Sequence, residues 1–178
     1  MKKIGVFYGS DTGCTEAVME KLKEIIEDKA DFHDVSGVKN KDELLAYSHL
    51  ILAIPTWYDG ELQSDWESFF PDFQKIDFEE RKIAIVGLGD QIGYGEFFVD
   101  GIGILAKAAM EQQAQLVGLC AIDGYDFEES QALIDIDGET YFLGLPLDED
   151  NQPEMTDDRL GTWMVQVLEE FELEKELA

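Results

Sequence analysis

Basic residues are scarce in this 178-residue chain: 13 Lys and Arg stand against 40 Asp and Glu, a formal charge of −27. A surface of that sign repels nucleic acid and anionic membranes, so neither is expected as a partner. It attracts a basic protein, more strongly at low salt. Acidic solubility or a saline habitat accounts for the same charge without a partner. Cysteine is almost absent. Cys14 and Cys120 lie far apart, with no CxxC pair and no Cys/His cluster, so neither a zinc site nor a disulfide framework is indicated. No apolar stretch approaches the roughly 18 residues of a membrane-spanning helix. The N-terminus runs from Met1 straight into a strand, with no small-residue cleavage site, so a cytoplasmic location is expected. His33 and His49 have no metal-ligand spacing and read as structural or solvated.

What is present is a core. Hydrophobic residues make up 45% of the chain, enough for one domain over residues 1–178. Ile4–Tyr8, Leu50–Ile54, Ile83–Leu88 and Leu116–Ile122 are short, nearly uninterrupted apolar runs, the pattern of strands buried on both faces of a parallel sheet. Phe32–Val35 is weaker and reads as an edge strand. Between them lie helical patterns: Val18, Leu22, Ile25 and Ile26; Ile102, Leu105, Ala106, Ala109 and Met110; and Leu160, Trp163, Met164, Val167, Leu168 and Phe171. Thr156 reads as the N-cap of the last helix, and the acidic tail 169–176 as a fraying end. Strand and helix alternate five times, which predicts an α/β, doubly wound five-stranded parallel sheet of order 2-1-3-4-5. Residues 123–145 break the alternation and read as an insertion interrupting the fifth strand.

In this architecture a ligand site lies at the carboxyl ends of the strands, so the loops leaving strands one, three and four should converge. The first, Gly9-Ser-Asp-Thr-Gly-Cys-Thr-Glu16, joins a strand to a helix N-terminus. Backbone N–H groups, hydroxyls and the helix dipole there favour a phosphate. A nucleoside triphosphate loop would need Gly-Lys-Ser/Thr. Gly13 is followed by Cys14 and Thr15, and no Lys lies between Lys3 and Lys21, so a single phosphate bound by neutral donors fits better. Asp11 should point away from it. Read alone, the same loop is an ordinary helix cap.

The second loop, Pro55-Thr56-Trp57-Tyr58-Asp59-Gly60-Glu61, places two aromatics at a strand end. The third, Gly87–Glu96, contains four glycines, Asp90 and Tyr94. Either could serve packing alone. A phosphate cradle beside both describes a site for a flat phosphorylated ring, with Trp57 and Tyr94 as its two faces. Gly101-Ile-Gly103-Ile-Leu-Ala106 matches the dinucleotide fingerprint GxGxxA, but it lies inside a helical pattern rather than after a strand, so dinucleotide binding there is not expected.

At these residues the chain resembles the flavodoxins, of the long-chain type. Ser10–Thr15 is similar to that family's FMN phosphate loop, and Pro55–Glu61 and Gly87–Glu96 to its flavin-flanking loops. The runs 60–67 and 147–159 also resemble family sequence. The resemblance implies a flavodoxin-like fold, non-covalent FMN, and low-potential one-electron transfer between semiquinone and hydroquinone. It implies that Ser10, Asp11, Thr12, Gly13, Cys14 and Thr15 form the phosphate loop. Pro55, Thr56, Trp57, Tyr58, Asp59 and Gly60 would form one flavin wall, with Thr56 and Asp150 reaching the ribityl chain. Leu88, Gly89, Asp90 and Tyr94 would form the other, with backbone at Gly89 and Asp90 on the pyrimidine edge. Partners implied are a basic ferredoxin/flavodoxin–NADP reductase and acceptor enzymes, with the chain acting as a monomer. Cys14 departs from the usual Asn or Lys.

The family flips the peptide after the Trp to bond flavin N5, here Tyr58–Asp59. The flip needs a positive φ, which Gly adopts freely; Asp59 should stabilise the one-electron state less than Gly would. Asp59, Glu61, Asp65 and Glu67 crowd negative charge near the ring and should lower the second potential. Two alternatives share the fold. An NAD(P)H-dependent quinone or FMN reductase would need an open ring face. A phospho-receiver would need an Asp ending strand three, where Pro55-Thr56 stand.

Overall fold

The computed structural model describes residues 3–9, 13–57 and 60–173, with the backbone alone at Trp57. Five parallel positions form the central sheet. Its strands are β1 (Ile4–Tyr8), β2 (Ala30–Asp34), β3 (His49–Trp57) and β5 (Lys82–Leu88), followed by a fifth position shared between β6 (Gln115–Val117) and β10 (Leu145–Leu147). The order is β2-β1-β3-β5, then β6 and β10, as the alternation predicts. Both short strands pair with β5: β6 along its first half, Lys82 to Ala84, and β10 along its last, Val86 to Leu88. The fifth strand is therefore interrupted.

Side chains alternate along the buried strands, so each face feeds its own core. Leu50, Leu52 and Ile54 of β3, with Ile83 and Ile85 of β5, pack under α2 (Ser64–Phe73) and α3 (Asp100–Glu111). Ile51, Ala53, Ala84 and Val86 face α1 (Cys14–Ile26) and α4 (Thr156–Glu170). The last helix buries Leu160, Trp163, Met164 and Val167 as its periodicity predicts. Each such side chain contributes on the order of 2 kcal/mol by leaving water.

Several expectations are corrected. Ile25 and Met110 lie at the margins of their helices, 40% and 36% exposed. No α-helix joins β2 to β3; that connection is two 3-10 turns, Val35–Gly37 and Lys41–Ala46, because Gly37 and Asn40 interrupt any longer pattern. Thr156 is the first residue of α4 rather than its cap, and its hydroxyl donates to Glu149 Oε1 at 2.6 Å. The tail does not simply fray: Phe171 and Leu173 are buried beyond the helix end; residues 174–178 lie outside the described residues. Leu116–Ile122 is not one strand. The chain turns away at Gly118 (φ 74), and β7 (Cys120–Ala121) joins a small antiparallel sheet with β8 (Leu133–Ile136) and β9 (Glu139–Phe142). This sheet is the body of the insertion.

The GxGxxA match finds its cause here. It lies in α3, and a Cβ on Gly103 would stand 2.3 Å from the carbonyl oxygen of Gln131. The glycine lets the insertion's backbone press on the helix. The histidines are structural. His33 stacks on Phe7 and bonds the Tyr47 hydroxyl at 2.8 Å, and His49 packs against Phe171.

Candidate functional site

Strand polarity brings together the segments after β1, β3, β5 and β10. The first three are those predicted to converge. At the first, α1 begins at Cys14. Its N-cap, Gly13, is left-handed (φ 84) and makes no side-chain capping bond. Thr15 follows in the first turn, 1% exposed, and its Oγ1 has no hydrogen-bond partner among the described residues. A buried hydroxyl without a partner costs about 1–3 kcal/mol, and such groups are rare enough to need an explanation. A helix N-terminus beside a buried hydroxyl with no partner among the described residues is a donor set that an anion completes. Cys14 is exposed. Ser10, Asp11 and Thr12 lie outside the described residues.

The second segment is a tight hairpin. Thr56 and Trp57 pair with Leu62 and Glu61 of the short strand β4 (Glu61–Leu62). Gly60 closes the turn at φ +84, and a Cβ there would meet the Asp100 carboxylate at 2.5 Å. Glycine is needed twice, for the backbone angle and for space. Pro55 and Thr56 are half-buried. Thr56 Oγ1 accepts from the Gly101 N–H at 2.9 Å, which ties β3 to the start of α3 and leaves the hydroxyl proton available. Tyr58, Asp59 and the Trp57 side chain lie outside the described residues.

The third segment leaves β5 at Leu88, which is buried. Gly89 N–H donates to Leu147 O at 3.0 Å, continuing the sheet past the strand end. Asp90 then folds the loop on itself. Its Oδ1 accepts from the N–H groups of Ile92 (3.1 Å) and Gly93 (2.6 Å) and from Asn151 Nδ2 (2.7 Å). Burial pushes the Asp90 carboxyl up; the bonds from Gly93, Asn151 and Ile92 outweigh it and hold it below the ordinary carboxylate value. Tyr94 N–H donates to Asp90 O. The ring is 46% exposed, beside an open cleft of ≈ 290 Å³ whose far side is Glu128 of the insertion.

A fourth segment, 148–151 after β10, completes the cluster. Asp150 is exposed, and burial together with the carboxylates of Asp90, Asp148 and Glu149 pushes its pKa up. Sequence reasoning named Asp150 but missed Asp148, Asn151 and Gln91. The available signal was an Asp directly after a buried apolar strand, where a charge persists only with dedicated donors.

Charge is divided along the sheet. Lys3, Lys29 and Lys82 stand at the amino ends of strands. The loops after β1, β3, β5 and β10, at 9–13, 58–60, 89–99 and 148–155, contain no Lys or Arg; the connection after β2 carries Lys39 and Lys41. Glu61 and Glu67 are exposed on the same side. Among the described residues, no group of three or more His, Cys, Asp or Glu is arranged to hold a metal ion. No helix there is long and apolar enough to cross a membrane.

A family model described as Flavodoxin matches residues 6–163. A flavodoxin of Klebsiella pneumoniae is 44% identical over 176 residues, spanning 98% of this chain and 98% of its own length. One from a Nostoc species is 46% identical over 173 residues, spanning 97% and 99%. The crystal structure of a Fusobacterium nucleatum flavodoxin bound to flavin mononucleotide matches with a TM-score of 0.87 and 34% identity, covering 96% of this chain and 99% of that one.

Proposed function

Because this chain belongs to the flavodoxin family of FMN-dependent electron carriers, we propose that FMN lies across the carboxyl ends of β1, β3 and β5 with its phosphate at the N-terminus of α1. The observation that carries this reading is the buried Thr15 Oγ1 in the first turn of α1, without a hydrogen-bond partner among the described residues. In the proposal, Ser10, Thr12, Gly13, Cys14 and Thr15 hold the phosphate through hydroxyls and N–H groups. The helix dipole supplies the positive potential that a lysine supplies elsewhere. Thr56 offers its free hydroxyl proton, and Asp150 an acceptor, to the ribityl chain. Trp57 and Tyr94 flank the ring, and backbone at Gly89 and Asp90 meets its polar edge. Bound FMN supplies reversible one-electron chemistry at low potential.

The protein's own contribution is electrostatic. Asp59, Glu61, Asp65 and Glu67, with no base among them, hold a negative potential beside the ring and oppose further negative charge there. The same acids, beside site loops that carry no Lys or Arg, suit a basic redox protein such as a ferredoxin/flavodoxin–NADP reductase. The chain is proposed to act as a cytoplasmic monomer. An NAD(P)H-dependent reductase on this fold is not favoured: relatives matched over nearly their full length are named flavodoxins.

The phosphate assignment is tested by comparing FMN with riboflavin in fluorescence-quenching titrations of the cofactor-free protein. FMN should bind at least about a hundredfold more tightly, since charge-assisted bonds each contribute about 1.5–3 kcal/mol. Equal affinity would remove the phosphate from the α1 N-terminus.

A further inference from the structure

The carboxyl end of β10 carries a buried polar cluster that FMN contact alone does not account for. Asp148 is fully buried. Five N–H donors satisfy its carboxylate. Oδ1 accepts from the backbone of Asp150 (3.1 Å) and Asn151 (2.9 Å). Oδ2 accepts from the Gln91 backbone (3.1 Å), Gln91 Nε2 (2.9 Å) and Asn151 Nδ2 (2.9 Å). Gln91 is itself only 3% exposed. The other end of its amide, Oε1, accepts from the Asp126 backbone N–H of the insertion. Asn151 Nδ2 reaches on to Asp90.

Both ends of the Gln91 amide are committed, its nitrogen to a carboxylate and its oxygen to a peptide N–H. The bridge ties three chain segments that the strands alone do not hold together: the loop after β5, the segment after β10, and the insertion. The loop's outer part has little apolar anchorage, since Ile92 is 63% and Tyr94 46% exposed. Its position therefore depends on polar contacts: those at its root, and at its far end the Glu128 and Glu129 N–H groups, which both donate to Gly95 O at 2.9 Å. A buried, fully satisfied network is rigid, and it is costly to satisfy only in part.

We propose that Gln91 is a positioning residue. Clamped between Asp148 and Asp126, it fixes the loop bearing Gly89, Asp90 and Tyr94 against the segment bearing Asp150, and so sets how tightly FMN is held. This rests on the FMN reading above. The insertion thereby contributes to cofactor affinity from a distance, through the Asp126 peptide N–H at the root of the loop.

The test is a pair exchange in the full chain. Gln91→Glu sets two carboxylates against each other, and Asp148→Asn sets two amides donor to donor. In the double variant the new carboxylate at 91 accepts from the new amide at 148 and still from the Asp126 N–H, although that amide nitrogen also faces the backbone N–H of residue 91 and Asn151 Nδ2, so the rescue is partial. FMN dissociation constants come from fluorescence quenching, and ring placement from the visible circular dichroism of bound FMN. Each single variant should weaken FMN binding by roughly tenfold or more. The double should bind FMN several-fold more tightly than either single variant, with its dichroism shifted back toward the wild type. Gln91→Glu combined with Glu149→Gln restores the net charge without the pairing and should not recover. Single variants that bind FMN like the wild type would overturn the proposal, as would equal rescue by the charge control. If those singles do not fold, Gln91→Met, which keeps the length of the side chain without its amide, replaces them: weakened FMN binding with altered dichroism supports the bridge, and wild-type binding refutes it. A wild-type chain that binds no FMN would instead refute the cofactor reading itself.

Discussion

Replacing Thr15 with valine separates a ligand-binding role from a structural one by the sign of its effects. Valine has nearly the shape of threonine and a similar helix propensity. The substitution therefore deletes one hydroxyl and little else. That hydroxyl is buried, with no hydrogen-bond partner among the described residues. Burying such a group costs about 1–3 kcal/mol, so Thr15→Val should stabilise the apo form by on the order of 1 kcal/mol. For a chain of this size that raises the midpoint of thermal unfolding by about 2–4 °C. With FMN the sign reverses. A hydrogen bond to a phosphate dianion contributes about 1.5–3 kcal/mol, so its loss should raise the dissociation constant roughly 10- to 150-fold. The assays are calorimetry of the apo form and a fluorescence-quenching titration with FMN. A variant with a lower apo midpoint and unchanged FMN affinity would refute the reasoning, because the hydroxyl would then be serving the fold.

Other perturbations follow from the same geometry. Gly60→Ala forces a side chain into a left-handed turn and against the Asp100 carboxylate; it should cost about 1–3 kcal/mol, read as a lower urea midpoint, and an unchanged midpoint would contradict the hairpin. Asp90 is held below its ordinary pKa of 3.8 in the folded state. The stability this confers is present above that value and is lost as pH falls through the lower folded value. The stability gap between wild type and Asp90→Asn should therefore narrow as urea unfolding is repeated from pH 6 downward, and a gap that widens would reverse the assignment. Turnover with a basic reductase should fall as ionic strength rises past its optimum, because the Debye length shrinks to about 10 Å at 0.1 M; a flat profile would remove the acids from docking.

Much of this was legible in the sequence because it is local and periodic. A strand buried on both faces needs an apolar run, and Leu50–Ile54 and Ile83–Leu88 can hardly be anything else. The break at 123–145 was visible because acids and turn residues cannot continue such a strand. The departure of the chain at Gly118, two residues into an apolar run, was not: the run's hydrophobicity is spent on the small sheet against Phe142 rather than on β5. The glycines of α3 imitated a nucleotide motif, since close approach of any backbone selects for the same residue. The site was legible where residues of one loop act together, as at Gly13–Thr15. The Asp148–Gln91–Asp126 bridge joins positions far apart in sequence. No periodicity marks it, and the acids around it make Asp148 look like one more surface charge.

This acidic fold carries FMN and passes single electrons. A redox titration of the FMN-loaded chain, followed by its visible absorbance, tests it most directly. Two resolved one-electron steps, the second at markedly lower potential than the first, are predicted. A single two-electron step, or a chain that releases FMN on the first gel filtration, would contradict it.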